Sequence, residues 1–114
     1  MGETGRVAII GAGPGDPGLI TLRALQCIRE ARVIVYDHLV NPEILNHADP
    51  QARLIYAGKQ GGRHAVSQPE INEILVTEAK KGQVVARLKG GDPFIFGRGG
   101  EEAEILQAAG IPFE

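Results

Sequence analysis

Chemistry in this chain concentrates where an aliphatic run gives way to glycine and a carboxylate. Val84, Val85 and Leu88 lead into Gly90-Gly91-Asp92, and Gly97, Gly99 and Gly100 follow before a helix-like segment. Glycine lets main chain lie directly against a ligand, and Asp92 places a carboxylate where the backbone is most exposed. A strand that ends in such a loop and returns through a helix is the usual place for small-molecule binding in α/β proteins. The loop is expected to bind a ligand. Taken alone, Asp92-Pro93 also reads as a turn closed by an Asx bond, and Ile95 as a core residue.

An earlier loop offers different chemistry. Gly13-Pro-Gly-Asp-Pro-Gly18 fits the G-x-G-x-x-G outline after an apolar run, and Asp37 follows at about the distance of a ribose-binding acid. Its prolines argue against a dinucleotide. Pro14 and Pro17 have no N–H to offer a pyrophosphate, and Asp16 would set a negative charge against the phosphates. A proline-stiffened bend suits an uncharged or cationic ligand edge better. An NAD(P)-binding oxidoreductase domain is therefore the weaker alternative.

The elements that must hold these loops alternate in type. Val7–Ile10, Val33–Tyr36, Arg53–Ala57 and Val84–Leu88 read as buried strands. Between them, Leu19–Ala31 reads as a helix with Leu22, Leu25 and Ile28 at spacings of three. A short helix runs from Asn41-Pro42-Glu43 to Ala48. A longer one, opened by a Ser67/Glu70 capping box, buries Ile71, Ile74, Leu75 and Ala79 and ends at Gly82. Glu101 and Glu102 favour the start of a last helix through its macrodipole; it ends at Gly110, and Phe113-Glu114 would begin a fifth strand. Alternation with continuous apolar strands predicts an α/β fold: an open, mostly parallel sheet of about five strands flanked by helices.

Of 16 glycines, 12 follow strands, at positions 11, 13, 15, 18, 58, 61, 62, 90, 91, 97, 99 and 100. The helix-to-strand turns are short and plain. The carboxyl edge of the sheet is thus the expected working edge. Asp37 and Lys59 both lie just past strand ends there, although position alone fits a turn cap and a solvated lysine equally well.

Bulk properties are compatible with that reading. The chain has 114 residues, enough for one domain with its own core, and is 43% hydrophobic. A net charge of −2 provides no general attraction for nucleic acid, so anionic ligands must be met by local cations. The lone Cys27 reads as a small core residue in a reducing cytoplasm. No apolar run approaches a membrane span, and the N-terminus has no signal-peptide core. His38, His47 and His64 lack metal-ligand spacing, so no metal site is expected.

Taken together, the loops resemble a known family over nearly the whole chain. Gly11-Ala-Gly-Pro-Gly-Asp16, Tyr36-Asp-His-Leu-Val40, Gly58-Lys59, Gln68-Pro-Glu-Ile-Asn72 and Arg87–Glu102 are similar to motifs of the uroporphyrinogen-III C-methyltransferases, within the tetrapyrrole methylase family. The resemblance implies S-adenosylmethionine-dependent methylation of two ring carbons of uroporphyrinogen III, giving precorrin-2 for sirohaem and cobalamin biosynthesis. It implies a two-domain homodimer, residues 1–114 being a single N-terminal domain without its C-terminal domain and hence inactive alone. A sister methylase of the same fold is the near alternative, and a non-catalytic folding or dimerisation fragment a third reading. By the same resemblance Asp37 is the proton acceptor and Lys59 the proton donor. Pro14, Gly90, Gly91, Asp92 and Ile95 contact the cofactor. Lys59, Arg63, His64, Lys89 and Arg98 are cations that could meet substrate carboxylates. His38 departs from the family's usual arginine, which touches substrate contacts there and not the class.

Overall fold

The computed structural model describes residues 5–11, 21–37, 40, 42–58, 67–89 and 98–113, with backbone only at 98–101. Alternation of strand and helix is complete: β1 (Arg6–Gly11), α1 (Leu22–Glu30), β2 (Val33–Tyr36), α2 (Pro42–Leu45), β3 (Arg53–Tyr56), α3 (Gln68–Lys80), β4 (Val84–Lys89) and α4 (Arg98–Ala108). The sheet runs β1-β4-β2-β3 and every pair is parallel. β4 pairs Val85 with Val7 on one side and with Val33 on the other. The described sheet has four strands where about five were expected. Phe113 stands at the fifth position as an isolated parallel bridge to Val7, whose N–H donates to Pro112 O at 3.0 Å.

Side-chain alternation along the strands splits the core in two. Ala8, Ile10, Ile34, Ala86 and Leu88 face α1 and α2, where Cys27, Ile28, Ala31 and Ile44 meet them. Val7, Val33, Val35 and Val85 face the other way, onto Ile71, Leu75 and Ala79 of α3 and Leu106 of α4. Burial on both faces explains why the strands carry unbroken β-branched and aliphatic runs. Cys27 is the buried core residue expected of it.

Helix ends follow local chemistry. Thr21 caps α1 through its hydroxyl, which accepts from the Ala24 N–H at 3.0 Å, so the helix starts at Leu22 and not at Leu19. The inner face carries Ala24, Cys27, Ile28 and Ala31; of the expected Leu22-Leu25-Ile28 stripe, Ile28 is fully buried and Leu22, the first helical residue, is 86% exposed. Ser67 caps α3 and also donates to Glu70 at 3.0 Å, as the Ser/Glu spacing predicts. Gly82 (φ 87°) and Gly110 (φ 73°) follow α3 and α4 in the left-handed region, where a β-carbon is costly. Ser67→Ala should lower unfolding free energy by about 1 kcal/mol in urea titrations.

At the amino edge, Glu78 of α3 ties down β3. Its carboxylate lies 2.7 Å from Arg53 and 3.3 Å from Lys81. Burial pushes its pKa up, but hydrogen bonds from Arg53 and Lys81 outweigh this and hold it below the usual glutamate range. A carboxyl depressed on folding stabilises the fold above its unfolded pKa, about 4.3, and loses that contribution as pH falls through its folded value. The melting temperature should therefore drop less on acidification below that pH in Glu78→Gln than in the unaltered protein, by calorimetry.

Candidate functional site

The chain parts around the carboxyl end of β4. The connections leaving β1 and β2 lead to α1 and α2 on one face, whereas the connection leaving β4 leads to α4 on the other. Because β4 lies between β1 and β2, a crevice opens at its end, the position where open α/β sheets take ligands. The carboxyl ends of all four parallel strands lie along this one edge.

Of the expected catalytic and cofactor-contacting residues, Asp37 alone falls within the described residues. It follows Tyr36 directly and is half-buried. Tyr36 pairs with Leu88, so Asp37 comes level with Lys89, the last residue of β4. On the adjoining strand Tyr56 pairs with Tyr36, ring centroids 5.3 Å apart and tilted by 58°. Lys59, Pro14, Gly90, Gly91, Asp92 and Ile95 lie outside the described residues, as do His38, Arg63 and His64. Arg98 opens α4.

Beneath the crevice lies a charge network that sequence reasoning did not assemble. Arg87 and Lys89 stand two residues apart on β4, on the face that Val85 presents to α3 and α4. Arg87 Nε donates to Glu102 Oε2 at 3.0 Å, and its Nη1 donates to Leu88 O at 3.1 Å. Gln68, at the start of α3, donates to the same Glu102 oxygen at 2.9 Å and to Asn72 Oδ1 at 3.0 Å. Lys89 Nζ lies 3.7 Å from Glu102 Oε1. Burial pushes the Lys89 ammonium below the usual lysine range; Glu102 and Asp37 oppose that shift and Arg87 adds to it.

Two expectations change here. Glu102, expected to favour the start of the last helix through its macrodipole, lies within α4, fully buried and paired with Arg87. Lys89, expected as a cation that could meet substrate carboxylates, is only 9% exposed and faces that same glutamate. The signal was present in the sequence. Two cations at i and i+2 in an otherwise apolar strand share a face and require a counter-charge there.

Among the described residues no group of three His, Cys, Asp or Glu side chains could hold a metal, and no helix is long and apolar enough to cross a membrane. A shallow polar groove lined by Arg32, Gln51, Arg53, Glu78 and Gln83 lies at the opposite, amino edge of the sheet.

Residues 6–114 match the family model described as Tetrapyrrole (Corrin/Porphyrin) Methylases. The chain belongs to the tetrapyrrole methylase family. Among its relatives, the uroporphyrinogen-III C-methyltransferase of Methanocaldococcus jannaschii is 58% identical over 111 residues, covering 97% of this chain and 46% of that protein. Siroheme synthase 1 of Yersinia enterocolitica is 60% identical over 109 residues, covering 96% of this chain and 23% of that protein. A crystal structure of uroporphyrin-III C-methyl transferase from Thermus thermophilus, complexed with S-adenyl homocysteine, aligns with a TM-score of 0.78. It shares 45% identity and is covered over 96% of this chain and 43% of its own. The chain thus spans less than half the length of the curated relatives it matches. As a tetrapyrrole methylase domain, it carries its buried network in two of the stretches that bore the resemblance, Gln68–Asn72 and Arg87–Glu102.

Proposed function

We propose that the chain is the N-terminal domain of an S-adenosylmethionine-dependent uroporphyrinogen-III C-methyltransferase, which methylates two ring carbons to give precorrin-2. One observation carries this reading: a structural relative sharing 45% identity across 96% of the chain was solved with S-adenyl homocysteine. The crevice at the end of β4 is where this domain would contribute to such a site.

When bound, S-adenosylmethionine supplies a methyl group already activated by its sulfonium. Alignment is then the protein's main task, and main chain at Gly90 and Gly91, with Asp92, Ile95 and Pro14, would hold the cofactor for it. Attack by a ring carbon leaves positive charge on the macrocycle until a proton departs. Asp37, half-buried at the end of β2, would accept that proton. Lys59, three residues beyond the last residue of β3, would donate a proton to another position of the macrocycle as a second proton leaves it, so that each methyl transfer releases one proton in all. Arg63, His64, Lys89 and Arg98 would supply positive charge for substrate carboxylates; of these Lys89 is engaged with Glu102. Homodimer formation and a cytoplasmic setting belong to the same proposal, and a chain whose single cysteine, Cys27, is buried fits a reducing compartment.

Calorimetric titration of S-adenosylhomocysteine into these 114 residues, and into the chain extended to its relatives' length, tests the reading. Weak binding by the first and tight binding by the second are expected, with methylated tetrapyrrole formed only by the extended protein. Binding of NAD in place of S-adenosylhomocysteine would overturn it.

A further inference from the structure

Residues 90–97 join β4 to α4, and the same buried ion network grips the chain on both sides of them. Arg87 and Lys89 stand on the strand side, Glu102 on the helix side. Glu102 Oε2 accepts from Arg87 Nε at 3.0 Å and from Gln68 Nε2 at 2.9 Å, which adds the first turn of α3 to the connection. Glu102 Oε1 and Lys89 Nζ face each other at 3.7 Å, beyond hydrogen-bond length, and neither has a hydrogen-bond partner among the described residues.

A network selected only for stability should look different. Charges taken out of water regain their desolvation cost only when geometry is close and every lone pair is bonded. Here Glu102 has no solvent exposure and one of its oxygens is left without a hydrogen bond. Apolar side chains of similar volume would pack at least as well beside Val85, Leu75 and Leu106, the neighbours on this face. What apolar contacts cannot do is fix a directional separation. Arg87 can: its guanidinium is held by its own strand through Leu88 O and by α4 through Glu102, so strand and helix keep one register.

We propose that Glu102 is a positioning residue for the cofactor site: with Arg87, Lys89 and Gln68 it clamps the two ends of the 90–97 connection at the separation that ligand binding requires. The inference rests on the cofactor reading above. Glu102 touches no ligand in this account; it acts through the ends of the loop.

The test compares the extended, full-length protein with two variants, by titration with S-adenosylhomocysteine well below every melting temperature. The triple variant Arg87→Met, Lys89→Met, Glu102→Leu removes the charges and keeps the volume. It should melt at or above the unaltered protein and yet bind S-adenosylhomocysteine about ten- to a hundredfold more weakly. Affinity equal to that of the unaltered protein would overturn the positioning role. If the triple variant does not fold, Glu102→Gln carries the decision. A lower melting temperature with unchanged affinity makes the network merely structural, and a comparable loss of affinity supports the clamp. Failure of the unaltered protein to bind S-adenosylhomocysteine would remove the cofactor reading and this inference with it, a result separate from failure of the clamp alone.

Discussion

Asp37→Asn in the full-length protein should lower kcat by about 10²- to 10⁴-fold, the range expected when a general base is lost. The Kd for S-adenosylhomocysteine should stay within about twofold, because in the proposed mechanism the change removes a proton acceptor and not a cofactor contact. The reasoning is positional. Asp37 is half-buried at the end of β2, on the edge where the crevice opens and level with Lys89 of the neighbouring strand. Asparagine keeps the size of the side chain but cannot take up a proton. Stopped-flow turnover beside a calorimetric titration separates the two quantities. An unchanged kcat would remove Asp37 from the chemistry and leave it a strand-end cap.

Arg87→Met should be the most damaging single change to stability among the charged residues described here. It leaves Glu102, with no solvent exposure, short of its closest cation, and breaking a buried pair in this way costs about 3–5 kcal/mol. The comparison that gives the number meaning is Arg6, which pairs with Glu30 where both side chains are 39% exposed. Solvent screens that pair, so Arg6→Met should cost less than about 1 kcal/mol. Urea unfolding of both variants measures the difference. Similar losses would mean that the Arg87 network is no more buried in effect than a surface bridge.

Much of the architecture was legible because β1, β2 and β4 are largely buried and read as mainly apolar runs, whereas the shorter β3 has Arg53 and Leu54 exposed. The caps at Ser67, Gly82 and Gly110 were legible for a local reason, since each uses chemistry contained within a few residues. Strand order was not. Nothing local to Val84–Lys89 says that it inserts between β1 and β2, yet that insertion creates the crevice. On α1 Cys27 and Ile28 are buried as expected, and only Leu22 was misplaced, because the Thr21 cap makes it the exposed first residue of the helix.

For the site, Asp37 could be placed from sequence because a strand's last residue fixes where the following side chain stands. Glu102 could not. Two adjacent glutamates at a helix start look alike, and only tertiary packing turns one of them inward onto Arg87. The alternation of Arg87 and Lys89 within an apolar strand was the available clue, and it pointed to a buried counter-charge without saying which element supplied it.

The account stands or falls on the ligand edge of the sheet. Titrating S-adenosylhomocysteine into ¹⁵N-labelled full-length protein and following backbone amide shifts addresses it directly. The account predicts that the largest shifts gather at Gly11, Asp37, Leu88, Lys89 and the first turn of α4. Shifts confined to Arg32, Arg53 and Gln83 at the amino edge, with the end of β4 unmoved, would contradict it.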